Sequence, residues 1–384
     1  MTRPAFLSFA CALFLTWGSR AAAGPVRPEP ILNGGSTWDG PQFVQADRLG
    51  HIFFLRRDTL QVYPLNKTGG FGKPVQLETS SAADAKGAIR AAMSPSGDQW
   101  LLVTPAYVGL FVNGQEKPLP ALEWTPWTAG FLRDTPVVAV IPRPRGRVRD
   151  LSSAMDVPWF LKLSGDRWGP FTYLKHVSVD ELMRTGGMNG VIAENSVFFK
   201  SDREGKLWAA RQYAYRVERF SPTGRVLTDL TVDGGEVQDK PEENKGIEIK
   251  LHGAQDNPTE ATRSPRTEKG KFFGFTAQPA ILDLTEGLDG QLYLLVRPPA
   301  GGLALDRFDP GSSVLERVHL DLKTKGVFTI AAGKDALYIA AFQGREGRWR
   351  IPWSTLEQTK WEAVKGAEID GAPMSSGGAP KRSK

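Results

Sequence analysis

The chain has a single cysteine, Cys11, and only four histidines, at positions 51, 176, 252 and 319. One thiol excludes an intrachain disulfide framework and a cysteine-based zinc cluster. The histidines share no ligand spacing and read as ordinary surface or turn residues. Whole motifs are missing too. There is no Gly-x-Ser-x-Gly elbow, no phosphate loop ending in Gly-Lys-Ser/Thr, no His-Glu-x-x-His, no Cys-x-x-Cys-His and no acidic loop of the EF-hand form. Gly70-Phe71-Gly72 is too short for a dinucleotide fingerprint, and Lys73-Pro74 would break the helix that such a site needs. Long amphipathic helical patterns are nearly absent.

What remains has the composition of a folded protein. Of 384 residues 41% are hydrophobic, and 41 Gly and 28 Pro are ordinary for a globular chain. With 48 Lys+Arg against 42 Asp+Glu, the positive excess is weak evidence of an anionic partner. Residues 1–23 read as a secretory signal. Arg3 supplies the positive start, residues 5–17 are apolar but for Ser8 and Thr16, and Ala21 and Ala23 are the small residues that a signal peptidase requires. The apolar run is shorter than the roughly 20 residues that span a bilayer. Cys11 lies inside that run behind bulky Phe9, which argues against lipid attachment. The expectation is an exported protein, periplasmic or extracellular, with no transmembrane segment after cleavage and no nucleic-acid partner.

Beyond a Pro-rich stretch, residues 24–30, a unit recurs. One copy is Asp47-Arg48-Leu49-Gly50-His51-Ile52-Phe53-Phe54, then Val62-Tyr63 and Gly69. A second is Asp202-Arg203-Glu204-Gly205-Lys206-Leu207-Trp208, then Phe220-Ser221-Pro222-Thr223-Gly224. A third is Leu288-Asp289-Gly290-Gln291-Leu292-Tyr293, then Phe308-Asp309-Pro310-Gly311. In each, Asp and Gly make a tight turn, because the carboxylate can bond backbone amides and Gly tolerates positive φ. The apolar run that follows is a strand buried on both faces, and the second run is its antiparallel partner. Fragments of the unit begin at Ser94 and Lys334.

Equivalent turn positions fall at Gly50, Gly97, Gly205, Gly290 and Asp335, at intervals of 47, 108, 85 and 45 residues. The 108-residue gap accommodates a further, poorly matching unit around Phe131-Leu132-Arg133-Asp134. The 85-residue gap holds one unit plus a charged insertion at residues 232–271. Six units result, the count being open by one. Six all-β repeats of this length predict a six-bladed β-propeller spanning residues 24–370. The segment near Ile31 is expected to close the ring beside the last unit. Capping boxes at Ser178-Val179-Asp180-Glu181 and Ser354-Thr355-Leu356-Glu357 predict two short connector helices. Residues 371–384 lack apolar content and read as a disordered tail.

The Asp-x-x-Gly-x-(Leu/Ile)-(Trp/Phe) run with its (Phe/Tyr)-(Ser/Asp)-Pro-x-Gly closure resembles the NHL/TolB-like six-bladed propellers. It is more distantly similar to SMP-30/gluconolactonase-like propellers. The second resemblance implies a divalent metal, calcium or magnesium, held in the central channel by Glu, Asn and Asp, and hydrolysis of lactones or phosphoesters. Glu194-Asn195 is the acid–amide pair placed where such a ligand would emerge; that family's motifs do not otherwise match. A quinone-cofactor dehydrogenase is a third class built on propellers, and no residue demands it.

Two clusters, together with the charged insertion at residues 232–271, are candidate contacts for a partner. Trp124-Thr125-Pro126-Trp127 is the densest aromatic group, suited to stacking on a sugar or anchoring a protein, with blade packing the plainer reading. Arg143, Arg145, Arg147 and Arg149 recur at every second position, a comb for anionic groups if extended, or a solvated loop. Asp47, Asp98, Asp202, Asp289 and Asp335 read as turn formers rather than a metal ring. The expected function is a non-catalytic scaffold that binds a protein, peptide or glycan through one face of the ring. A metal-dependent hydrolase is the alternative.

Overall fold

The computed structural model describes residues 24–31, 42–67, 69–141, 160–172, 197–212, 215–232, 280–322, 328–341 and 347–370. They form a six-bladed β-propeller, each blade an antiparallel sheet with its first strand at the axis. Strand β1 (Glu29–Pro30) precedes blade 1, which is β2 (Gln42–Ala46), β3 (Ile52–Arg56), β4 (Gln61–Pro64) and β5 (Val75–Gln76). Helix α1 (Ala82–Lys86) leads into blade 2: β6 (Arg90–Met93), β7 (Gln99–Thr104), β8 (Tyr107–Val112) and β9 (Gln115–Lys117). Blade 3 is β10 (Thr125–Leu132), β11 (Thr135–Ile141), β12 (Phe160–Ser164) and β13 (Arg167–Thr172). Blade 4 is β14 (Val197–Ser201), β15 (Leu207–Arg211), β16 (Arg216–Phe220) and β17 (Val226–Val232). Blade 5 is β18 (Ile281–Glu286), β19 (Leu292–Val296), β20 (Leu303–Asp309) and β21 (Val314–Leu320). Blade 6 is β22 (Phe328–Ala332), β23 (Ala336–Ala341) and β24 (Arg348–Pro352), with β1 as its outer strand. After helix α2 (Trp353–Gln358) the chain returns as β25 (Glu362–Ala363) and β26 (Ala367–Asp370).

The core is six wedges between neighbouring blades. Along β19, Leu292, Leu294 and Val296 enter the wedge shared with blade 4, while Tyr293 and Leu295 enter the one shared with blade 6. Because every residue of β19 is buried, the polar/apolar alternation of a one-sided strand is lost. The same holds for β15, with Leu207 and Ala209 facing blade 3 and Trp208 and Ala210 facing blade 5.

The turns follow the sequence reading. Asp47 Oδ1 accepts the amides of Leu49 and His51 at 2.9 and 2.8 Å, and Gly50 has φ +75°. Asp202 accepts the Lys206 amide at 2.6 Å, and Asp289 that of Gln291 at 3.0 Å. Blade 3 matches the repeat poorly for a local reason: its first hairpin is closed by Arg133 and Asp134 alone, and Arg133 takes the positive φ, +55°, that Gly takes elsewhere. Gly224 shows how tightly one turn is held. Its φ is +83°, and an added Cβ would sit 2.3 Å from the Phe171 carbonyl oxygen of blade 3. Gly69, at φ +80°, has open space instead. Gly224→Ala is expected to cost about 2–3 kcal/mol and Gly69→Ala about 1 kcal/mol in urea unfolding; equal costs would show that backbone strain alone decides.

Ring closure is as expected. Glu29 and Pro30 pair with Arg350 and Trp349, and the Ile31 amide bonds the Arg348 carbonyl at 2.8 Å. The terminal strands add what the repeat did not announce: β25 extends blade 5 and β26 extends blade 4, making five-stranded sheets. Helix α2 lies where the second capping box predicts it but begins two residues earlier, with Pro352 as N-cap and no side-chain cap. Helix α1 comes from the Ala-rich run 82–86 rather than from a capping box, and ends at Gly87. The helix predicted at Ser178, the signal segment, most of the 232–271 insertion and the 371–384 tail lie outside the described residues.

Candidate functional site

Each innermost strand sends a polar side chain towards the axis: Gln45, Arg90, Thr128, Lys200, Asp283 and Thr329, one from each blade. Phe43, Phe198, Phe199 and Phe328 wall the same cleft. The side chains interlock across blades. Lys200 Nζ donates to Gln45 Oε1 at 2.7 Å, and Gln45 Nε2 donates to the Ala91 carbonyl at 3.1 Å. The Val44 amide donates to Thr329 Oγ1 at 3.0 Å, and the Ile330 amide to Asp283 Oδ2 at 2.8 Å. The Arg90 guanidinium donates from Nη1 to the Ile89 carbonyl at 2.9 Å and lies 4.7 Å from the centre of the Phe198 ring. Burial pushes the Lys200 ammonium below the usual lysine range, opposed by the negative charge of Asp283. Burial likewise pushes the Asp283 carboxyl up, opposed by Lys200 and by the amides of Ile330 and Leu284. The space left is about 20 Å³, room for one or two waters or a small ion.

Strand polarity gives the ring two unlike sides. On one side the turns between first and second strands meet edge to edge. The Arg48 amide bonds the Pro95 carbonyl (2.9 Å), the Arg133 amide that of Gly205 (3.1 Å), and the Lys334 amide that of Gly50 (3.2 Å). Glu286 Oε2 accepts the Arg203 amide at 2.8 Å, joining blades 4 and 5. Burial raises the Glu286 carboxyl to about 7, and the nearby Asp202 adds to the shift. The described strand ends that residues 77–89, 142–159, 173–196 and 233–280 join in sequence all lie on the other side.

Trp124 and Trp127 flank the start of β10 on this second side. Both are half-buried. Trp124 packs on the wedge between blades 2 and 3. Trp127 occupies the bulge in the β10–β11 ladder, between Pro126 and Thr128; its buried indole N–H has no partner among the described residues. Arg143, Arg145, Arg147 and Arg149, in the β11–β12 connection, and Glu194 and Asn195, before β14, lie outside the described residues. The axial residues escaped the sequence reading, although a signal exists. Asp283 interrupts an apolar run in β18 and Lys200 ends one in β14, and a charge inside a strand buried on both faces must find a partner or a site.

The SMP-30 resemblance implies a divalent cation at this axis. Among the described residues the axis offers one carboxylate, beside an ammonium and a guanidinium. That donor set does not suit a hard cation, which takes six to eight oxygens.

No protein-family profile and no curated protein sequence matches the chain. Solved structures that resemble it include a streptogramin B lyase, 14% identical, TM-score 0.41, covering 82% of this chain and 94% of that one. A protein of unknown function from Bacteroides thetaiotaomicron is 10% identical, TM-score 0.47, covering 85% and 75%. The WD40 repeats of RRP9 are 10% identical, TM-score 0.47, covering 86% and 99%. Likeness at this level assigns no activity.

Proposed function

We propose that the protein is an exported, non-catalytic scaffold of NHL-like repeats that binds a protein, peptide or glycan partner through the side of the ring bearing the long connections. The observation that carries this reading is that the described strand ends flanking every connection longer than ten residues lie on that side. Binding surfaces are built on such loops, held in place by a rigid frame. The axial cleft walled by these side chains is about 20 Å³, small for an organic ligand, which favours a face as the binding surface. Trp124 and Trp127, both half-buried, stand at the start of β10 on that side. Residues 1–23 supply the export reading.

The test is affinity capture from an envelope fraction with residues 24–384, followed by a direct titration of the partner recovered. Trp124→Ala/Trp127→Ala is expected to weaken that partner's binding at least about 10-fold, since aromatic anchors carry a large share of interface energy. Calorimetry of the variant checks that the ring still melts cooperatively. Unchanged affinity in a folded variant removes the Trp pair from the interface. Near-stoichiometric bound calcium, with a melting temperature that falls on chelation, would replace the scaffold reading with the metal-dependent hydrolase.

A further inference from the structure

We propose that the outer edge of β17 is a strand-pairing surface for a second copy of this chain, masked in the structure by the chain's own strand β26. The inference does not rest on the partner-binding reading. It starts from a difference among the outer strands of the blades. In blades 1, 2, 3 and 6 these are β5, β9, β13 and β1, and none of them carries a further described strand. Strand β1 is two residues long and contains Pro30; β5 is two residues long and follows Pro74. Strand β9 is three residues long with Pro118 directly after it, and β13 contains Gly169-Pro170 and a register shift. Short length, proline and bulges keep an exposed edge from recruiting another strand. Strands β17 and β21 have none of these devices among their described residues: each runs seven residues without proline. They are also the two outer strands that β26 and β25 cover.

The cover on β17 is weak in itself and strong through its tether. Strand β26 pairs with Asp229–Val232, in a strand rich in the β-branched Val and Thr that pairing favours. Ala367 and Ile369 are only partly buried against the wedge between blades 4 and 5. Asp370 stands directly opposite Asp229, an unfavourable like-charge pair. Upstream, the Val364 amide bonds the Leu315 carbonyl at 3.0 Å, and the Arg307 guanidinium lies 4.3 Å from the centre of the Trp361 ring. These anchors keep β26 at high effective concentration beside β17. Without it, the amides of Asp229 and Thr231 point outward. The Val232 amide bonds the Tyr215 carbonyl, just ahead of β16, at 3.0 Å, and successive amides of a strand face opposite neighbours. A second copy presents the same edge. Antiparallel pairing of the two joins both blades 4 into one sheet, a closed two-fold dimer.

The experiment is analytical sedimentation of residues 24–384 and of residues 24–358, each over an about hundredfold range of concentration. The shorter chain keeps α2 and all strands of the six blades from β1 to β24. Expected are a constant monomer mass for the longer chain and a rise to twice that mass for the shorter. In the shorter chain Thr231→Pro removes an outward donor and spares the bonds to β16; it should weaken the dimer at least about 10-fold. A synthetic peptide of residues 359–370 in excess should return the shorter chain to monomer. A shorter chain that melts cooperatively and stays monomeric overturns the proposal. So does association that neither Thr231→Pro nor the peptide reduces, because the contact is then apolar adhesion and not strand pairing. An intact chain that dimerises as strongly as the shorter one also overturns it, since β26 then masks nothing. Should the shorter chain fail to melt cooperatively, Glu368→Pro/Ile369→Pro in the intact chain decides. That change breaks β26 whichever of its amides face β17: a dimer supports the proposal and a monomer ends it.

Discussion

Replacing Asp306 with alanine should cost about 3–5 kcal/mol of unfolding free energy, a large share of the stability of a typical domain. Asp306 is fully buried in β20. Arg317 grips it with two hydrogen bonds, Nε to Oδ1 at 2.6 Å and Nη2 to Oδ2 at 2.7 Å. The Tyr215 hydroxyl, reaching over from blade 4, donates to Oδ2 at 2.5 Å. Burial and that negative charge together hold the Tyr215 phenol far above its ordinary range, so it remains a donor at any working pH. Removing the carboxylate leaves the buried Tyr215 phenol and the largely buried Arg317 guanidinium without their shared partner. Tyr215→Phe, which deletes one donor and leaves the ion pair, should cost only about 1 kcal/mol. Chemical denaturation of both variants gives the comparison. Similar losses would mean that the Tyr215 contact, and not the ion pair, is what matters at the blade 4–blade 5 seam.

The second large effect is a pH dependence. The Glu286 carboxyl is raised to about 7 from its usual value near 4.5, chiefly by burial. Between those two values the folded protein keeps a proton that the unfolded chain has released. Folded-state proton binding therefore stabilises fully below about 4.5, and unfolding free energy falls as pH rises towards 7. A tenfold difference in proton affinity between the two states corresponds to about 1.4 kcal/mol. Glu286→Gln stays neutral and can still accept the Arg203 amide. It should flatten the profile across this window and, at pH 8, exceed the parent in stability by about 2–3 kcal/mol. A variant that keeps the parent's slope would assign the titration to another group.

Much of the architecture was legible because the propeller repeats its turns. Asp47, Asp202 and Asp289 use the same carboxylate-to-amide bonds, and a chemistry repeated several times leaves a readable period. Blade 3 was hard to register because Arg133 assumes a glycine-like φ, and a backbone angle does not print itself in residue type. The terminal strands β25 and β26 were not foreseen. They are two and four residues long, exposed on alternate or all positions, and carry no buried pattern to detect. The axial cluster was missed for a related reason. Gln45, Lys200 and Asp283 belong to three blades and are neighbours only once the ring has closed.

Closure itself has a consequence for how the chain is made. Glu29 forms its ion pair with Arg350, 321 positions later, and Val26 exchanges backbone bonds with His319 and Asp321. Strand β25 then settles on Glu316 and Arg317 of the same outer strand, so an early and a late segment of the chain are both fastened to blade 5. A ribosome emits the first of these segments long before the last. The seam therefore cannot form until residues 348–350 have been made, and it is slow in the way that distant pairings are slow. A chain stopped short of residue 348 has no partner to offer β1, and a premature stop there yields an open arc of blades with two unprotected flanks instead of a shortened ring.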